Sequence, residues 1–212
     1  MIARLRALAS GHDGVACFAR LYLAVTEGVN ARLAGVQFAN PAFVAHLDVT
    51  FAELFFAAAA EPGRAPRAWA PLFEARSRRG IAPLQFALAG MNAHVNRDLP
   101  VAVVATCADL GVEPGPEYRD FNRVNPILAE VERHAKASLL TGWIGLISRV
   151  LNRFHRLDDV AAMWNVERAR EAAWTNAQVL WTLRDHPDLT ADFLETLDRT
   201  VGFAGRGLLR PL

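Results

Sequence analysis

Between Arg79 and Arg97 the chain runs without one Asp, Glu, Lys or Arg, its longest uncharged stretch, yet that stretch contains Gln85, Asn92, His94 and Asn96. A bilayer would reject those polar groups, because none could be satisfied by lipid. A protein core accepts them where neighbouring elements supply hydrogen bonds. Leu84, Leu88, Met91, Val95 and Leu99 recur through it at helical spacing. The stretch therefore reads as a helix that opens near Pro83, reaches about Leu110 and is buried on most sides. A helix enclosed in this way needs several others around it. The expected architecture is all-α, a single bundle-like domain over residues 1–212 built about a buried, proline-kinked central helix.

The rest of the chain carries the helices this requires, since period-two alternation is absent over any useful length. A first helix is expected from about Asp13 to Ala34. A second follows the Asn40-Pro41 cap and continues to about Glu61. Pro62, Gly63, Pro66 and Pro71 then break the chain, with a short helix around Trp69–Arg79. Gly111–Pro116 reads as a loop, after which a helix starts at Glu117 or Asn125-Pro126 and extends to about Arg153. Asp158 or Asp159 caps the next, which runs to Arg184. Thr190 opens a last helix, and the glycine-rich residues 202–212 read as a flexible tail. No repeat or linker divides the chain.

Apolar residues make up 52 % of the sequence, enough for one sizeable core. With 23 Lys and Arg against 22 Asp and Glu, nothing points to nucleic acid or an acidic membrane surface. Cys17 and Cys107 sit in apolar helical contexts and read as core thiols in a reducing compartment. Arg4 and Arg6 interrupt the only apolar stretch at the N-terminus, and no apolar run approaches the roughly 20 residues of a membrane span. The expected location is cytoplasmic.

Function is sought where polar side chains fall on faces the periodicity assigns to the core. Asp48 lies at the edge of the stripe formed by Val44, Leu47, Phe51, Leu54 and Phe55. A carboxylate buried there must be paired or protonated, as a structural salt bridge or a functional acid. On the central helix His94 and Asp98 stack on one flank, one turn apart, while Asn92 and Asn96 stack on the other with Gln85. Pro100 donates no backbone hydrogen bond, so a kink with a free Asn96 carbonyl is expected beside Asp98. The pair is either the start of a site or a core histidine held by its neighbour. Asn125 shares a face with Phe121 and Leu128 but also precedes Pro126, as a helix cap would. Arg170 lines up with Met163, Trp174 and Trp181, and would stack on Trp174 or pair with Asp48 or Asp98.

Stronger signatures are missing. There is no HExxH, no Cys/His zinc spacing, no phosphate loop, no dinucleotide fingerprint and no nucleophile elbow. The adjacent His-Asp pair of helical metal-dependent phosphohydrolases occurs only as His12-Asp13, without partners. His134 sits between basic residues and His155 near a helix end. Asp48, His94 and Asp98 are the set expected to hold a divalent ion if one binds.

Four segments together resemble an uncharacterised family of helical proteins, a domain-of-unknown-function family widespread in actinobacterial genomes. They are Leu47-Asp48-Val49-Thr50-Phe51-Ala52, Gly90-Met91-Asn92-Ala93-His94-Val95-Asn96-Arg97-Asp98-Leu99, Phe121-Asn122-Arg123-Val124-Asn125, and Ala169-Arg170-Glu171-Ala172-Ala173-Trp174. The resemblance implies an all-helical fold and brings no mechanism. It also implies that Asp48, Asn92, His94, Asn96, Asp98, Asn125, Arg170 and Trp174 belong to one feature.

The leading expectation is a small-molecule enzyme working by acid–base chemistry (elimination, isomerisation, cyclisation or hydrolysis) in an interhelical pocket, without a cofactor. His94 acts as acid/base oriented by Asp98, with Asp48 as a second carboxylate. Asn92, Asn96, Asn125, Arg170 and Trp174 bind a partly hydrophobic substrate. The metal-dependent alternative is a hydrolase whose ion is held by Asp48, His94 and Asp98. The non-catalytic alternative is a ligand-binding or interaction domain whose polar cluster is a structural lock. A homodimer is left open.

Overall fold

The computed structural model describes residues 1–33, 35–131 and 165–211. Of these, 79 % are helical, and no strand occurs among them. A short helix α1 (Ile2–Ala9) precedes the first expected one, α2 (Gly14–Leu33). Helix α3 (Pro41–Ala60) starts as its sequence dictates: Asn40 Oδ1 accepts the Phe43 N–H at 3.1 Å, and Pro41 fills the first turn, where no donor is needed. Helix α4 (Ala70–Ala75) is shorter than its expected range.

The central helix comprises α5 (Pro83–Ala93), a π-turn (His94–Asp98) and α6 (Leu99–Leu110). Here the expected kink takes a specific form. Pro100 removes one N–H from the ladder and crowds the carbonyl four residues back. The backbone accommodates this by widening: the Leu99 N–H reaches back to the His94 carbonyl, five residues away. Gly111, in the left-handed region at φ 64°, then terminates α6.

Three sequence boundaries are corrected. The loop expected over Gly111–Pro116 is only a few residues long, because Pro114 begins α7 (Pro114–Arg123) at a position where its missing N–H does no harm. Residues 125–131 are again helical. Helix α8 (Val166–Leu183) starts where Asn165 accepts the Arg168 N–H at 3.0 Å. Asp158 and Asp159, expected to cap it, lie outside the described residues, as do His134, His155 and the helix expected to Arg153. The last helix, α9 (Pro187–Leu208), begins ahead of Thr190 and continues through the glycines expected as a flexible tail. Two of those glycines, Gly202 and Gly205, serve packing: a Cβ on Gly202 would lie 3.0 Å from the Arg67 carbonyl oxygen, so only a bare Cα allows α9 to approach so closely.

Helix α2 packs on α1 and α5, α9 covers α5, and α3 and α8 flank α6. The core thus wraps the central helix, with Phe18, Phe43, Phe55, Trp69 and Leu88 fully buried. Each such side chain contributes about 1.5–3 kcal/mol relative to exposure. By length and composition α3 could cross a membrane, with a mean hydropathy of 1.5 and 33 % of that window buried inside the fold. Asp48 and Glu53 interrupt its apolar run, so no uninterrupted stretch of α3 reaches that length.

Candidate active site in an interhelical cavity

His94 opens the π-turn and is 1 % exposed. Its Nδ1 lies 3.1 Å from Asp98 Oδ2, which also accepts the Trp69 Nε1–H at 3.0 Å. Arg97 donates to the other oxygen of Asp98 at 3.4 Å and to Asp198 at 3.1 Å. An ionised carboxylate only accepts hydrogen bonds, so Nδ1 is the nitrogen that carries the proton. This leaves Nε2 as a lone-pair acceptor, buried and without a partner among the described residues. The ring lies flat on Phe51, with centroids 3.6 Å apart and planes 6° apart. Phe18, Tyr22, Phe55 and Trp69 surround the remaining edges. Burial among these rings pushes the imidazole pKa down, and the Asp98 carboxylate offsets that only in part. Burial therefore favours the neutral imidazole, with Nδ1–H as the donor to Asp98.

Beside it lies a cavity of about 340 Å³ lined by residues that include Tyr22, Asp48, Phe51, His94, Phe121 and Arg170. The Tyr22 hydroxyl is buried and unpartnered among the described residues. Burial, reinforced by the nearby Asp48 and Asp98 charges, holds its pKa well above the ordinary value, so it stays a proton donor. Asp48 keeps much of its surface in solvent. Partial desolvation against the cavity wall nevertheless pushes its carboxyl upward, while the N-terminal amine pulls it down.

Arg170, 7 % exposed, forms the wall on the α8 side. Its Nε donates to Asn125 Oδ1 and its Nη2 to the Phe121 carbonyl, both at 2.6 Å. The guanidinium carbon sits 4.0 Å from the Phe121 ring centroid. Neither Asp48 nor Asp98 pairs with it, contrary to the sequence expectation. The helix 166–183 carries it against α7 instead, where neutral acceptors receive it. Without a carboxylate among the described residues, desolvation draws its pKa down to about 9.

The eight expected site residues thus separate. His94, Asp48 and Arg170 line the cavity, while Asp98 and Asn125 stand behind them as hydrogen-bond partners. Asn92, Asn96 and Trp174 do not belong. Asn92 donates to the Val201 carbonyl at 2.9 Å and accepts from Asn96 at 3.1 Å, so both amides face α9. Trp174 packs between Phe121 and Tyr118. Among the described residues no group of three His, Cys, Asp or Glu side chains is placed to hold a metal ion. In particular, Asp98 turns both oxygens to donors and Asp48 stands at the rim. Tyr22 escaped sequence reasoning, although it is one of only two tyrosines and lies one helical turn beyond Phe18 on the buried face of α2.

The fold and site define an all-helical domain with a largely apolar interhelical cavity and a carboxylate-oriented imidazole in its wall. The chain belongs to a family of unknown function, DUF5995, which matches residues 1–211. No curated protein and no solved structure gives a significant match.

Proposed function

We propose that the chain is a small-molecule enzyme in which neutral His94 removes a proton from a substrate held in the cavity. The observation that carries this reading is the unpartnered Nε2 of an otherwise fixed, buried imidazole. A histidine kept only to hold a core together would be expected to satisfy both ring nitrogens. Asp98 fixes the ring and stabilises the imidazolium that forms on proton transfer, as a carboxylate partner does in other acid–base sites. Trp69 and Arg97 hold Asp98 in turn.

Tyr22 supplies the complementary group. Its ring centroid is 4.8 Å from that of His94, and its hydroxyl remains protonated. An acceptor and a donor in one apolar wall suit abstraction of a proton next to a carbonyl, with the hydroxyl donating to the oxygen that gains charge. Isomerisation, elimination and cyclisation share that step. The divalent-metal reading has no converging ligand set among the described residues to support it.

The test compares wild type with His94→Gln, each incubated with a cell extract and followed by untargeted mass spectrometry. At least one metabolite should be consumed by wild type and turned over about 10²–10⁴-fold more slowly by the variant. No change with either protein, or equal turnover by both, would overturn the reading.

A further inference from the structure

Arg170 is a buried charge with no carboxylate partner among the described residues. It is buried and faces the cavity, yet the acceptors it has are an amide oxygen, a backbone carbonyl and an aromatic face. A guanidinium has five N–H donors, of which these two bonds engage two. Neutral acceptors satisfy hydrogen bonds but do not neutralise charge, and an uncompensated ion in a poorly solvated site is costly. Asn125 and the Phe121 carbonyl fix the orientation of the fork, so its remaining N–H groups are preorganised for a planar anion.

The other walls say what the rest of the ligand must be. Val25, Val29, Phe43, Val44, Leu47 and Leu128 make them mostly hydrocarbon, with Thr26 and Asn30 as polar exceptions on α2. The volume, about 340 Å³, falls within the range of small-molecule sites, about 300–1,000 Å³. His94 and Tyr22, held by the π-turn and α2, contribute a second polar station on different elements from Arg170. Asp48 at the rim repels anions, and Asp120, also in the lining, has its two oxygens taken up by the Ala39 and Asn40 N–H groups, so the cavity favours a single negative charge placed against Arg170.

We infer that the cavity takes an apolar monocarboxylate, its carboxylate bound by Arg170 and its body lying along the α2–α3 wall towards His94 and Tyr22. This rests on the proposed function for what happens to the ligand, but not for whether it binds. A bidentate carboxylate neutralises the guanidinium where a neutral alcohol cannot, and an ammonium would add a second positive charge.

Binding is measured by calorimetry on the full chain with straight-chain carboxylates of six, eight and ten carbons, each beside its alcohol and its amine. At the length that fits, the carboxylate should bind at least about 10-fold more tightly than the alcohol, and the amine most weakly. His94→Gln should retain that preference, and Arg170→Gln should abolish it. Equal affinity of carboxylate and alcohol at every length, or an amine that binds best, would overturn the inference, and wild type alone decides this should Arg170→Gln fail to fold. Preference retained in a His94→Gln variant that turns over extract metabolites normally would instead remove the catalytic reading and leave the ligand class standing.

Discussion

The two flanks of the central helix begin as equals in sequence and end as opposites in structure. Each places polar side chains one turn apart on a buried helix: Asn92 and Asn96 with Gln85 on one flank, His94 and Asp98 on the other. On the α9 side the amides are absorbed by backbone. Gln85 accepts the Ala82 N–H and donates to the Leu208 and Arg210 carbonyls, and Asn92 donates to Val201. That flank ties the C-terminal helix to the core. On the cavity side His94 is fixed through one nitrogen, while its other nitrogen and the Tyr22 hydroxyl have no partner among the described residues. Burial of polar groups therefore marks both flanks, and unpartnered polar atoms distinguish the flank that faces the cavity.

The largest expected effect breaks this comparison on the cavity side. His94→Gln should lower turnover by about 10²–10⁴-fold while changing the unfolding free energy by less than about 1.5 kcal/mol, since glutamine can still donate to Asp98. Thermal and denaturant melts beside the turnover assay check both halves. A loss of about 3–5 kcal/mol in stability would instead mark a broken buried pair and a structural lock.

The opposite flank should respond in the opposite sense. Gln85→Ala removes three hydrogen bonds at once and leaves the Leu208 and Arg210 carbonyls without their donor. The expected cost is about 2–4 kcal/mol of stability, with turnover retained by the folded fraction. Urea titration measures it, and loss of turnover in fully folded Gln85→Ala would show that the flanks are not separable.

The smallest effect belongs to Asp48. Its folded-state pKa is raised above the ordinary 3.8, so ionisation as pH rises opposes folding. Asp48→Asn should melt slightly above wild type at neutral pH, and the gap should close below about pH 3.8, where both side chains are uncharged. The gap is small because the side chain remains partly solvated. A variant that melts lower at neutral pH would mean that the carboxylate has a favourable partner.

The fold was legible because its signals are local. Helical periodicity, the Asn40-Pro41 cap and the uncharged run at 80–96 each depend on neighbours in sequence. Two glycines of α9 were misread because their reason is tertiary: Gly202 fits against Arg67 and Gly205 against Pro71. The site was legible only in part for the same cause. Periodicity put His94 on the buried flank and Asp48 at the edge of an apolar face, and the structure places them in the wall and at the rim of one cavity. It could not show that Asn92 would meet the backbone of residue 201, or that Arg170 would be received by Asn125 in place of a carboxylate. Tyr22 was hidden because a tyrosine on an apolar face looks like core until its hydroxyl is found without a partner.

Nitrogen NMR of the His94 imidazole tests most directly whether this histidine is a poised base. At neutral pH the expected spectrum has Nδ1 protonated and Nε2 bare, and the ring stays neutral on acidification past its ordinary value of 6.5. A proton on Nε2, or an imidazolium already formed at neutral pH, would contradict it and make the pair a structural ion pair.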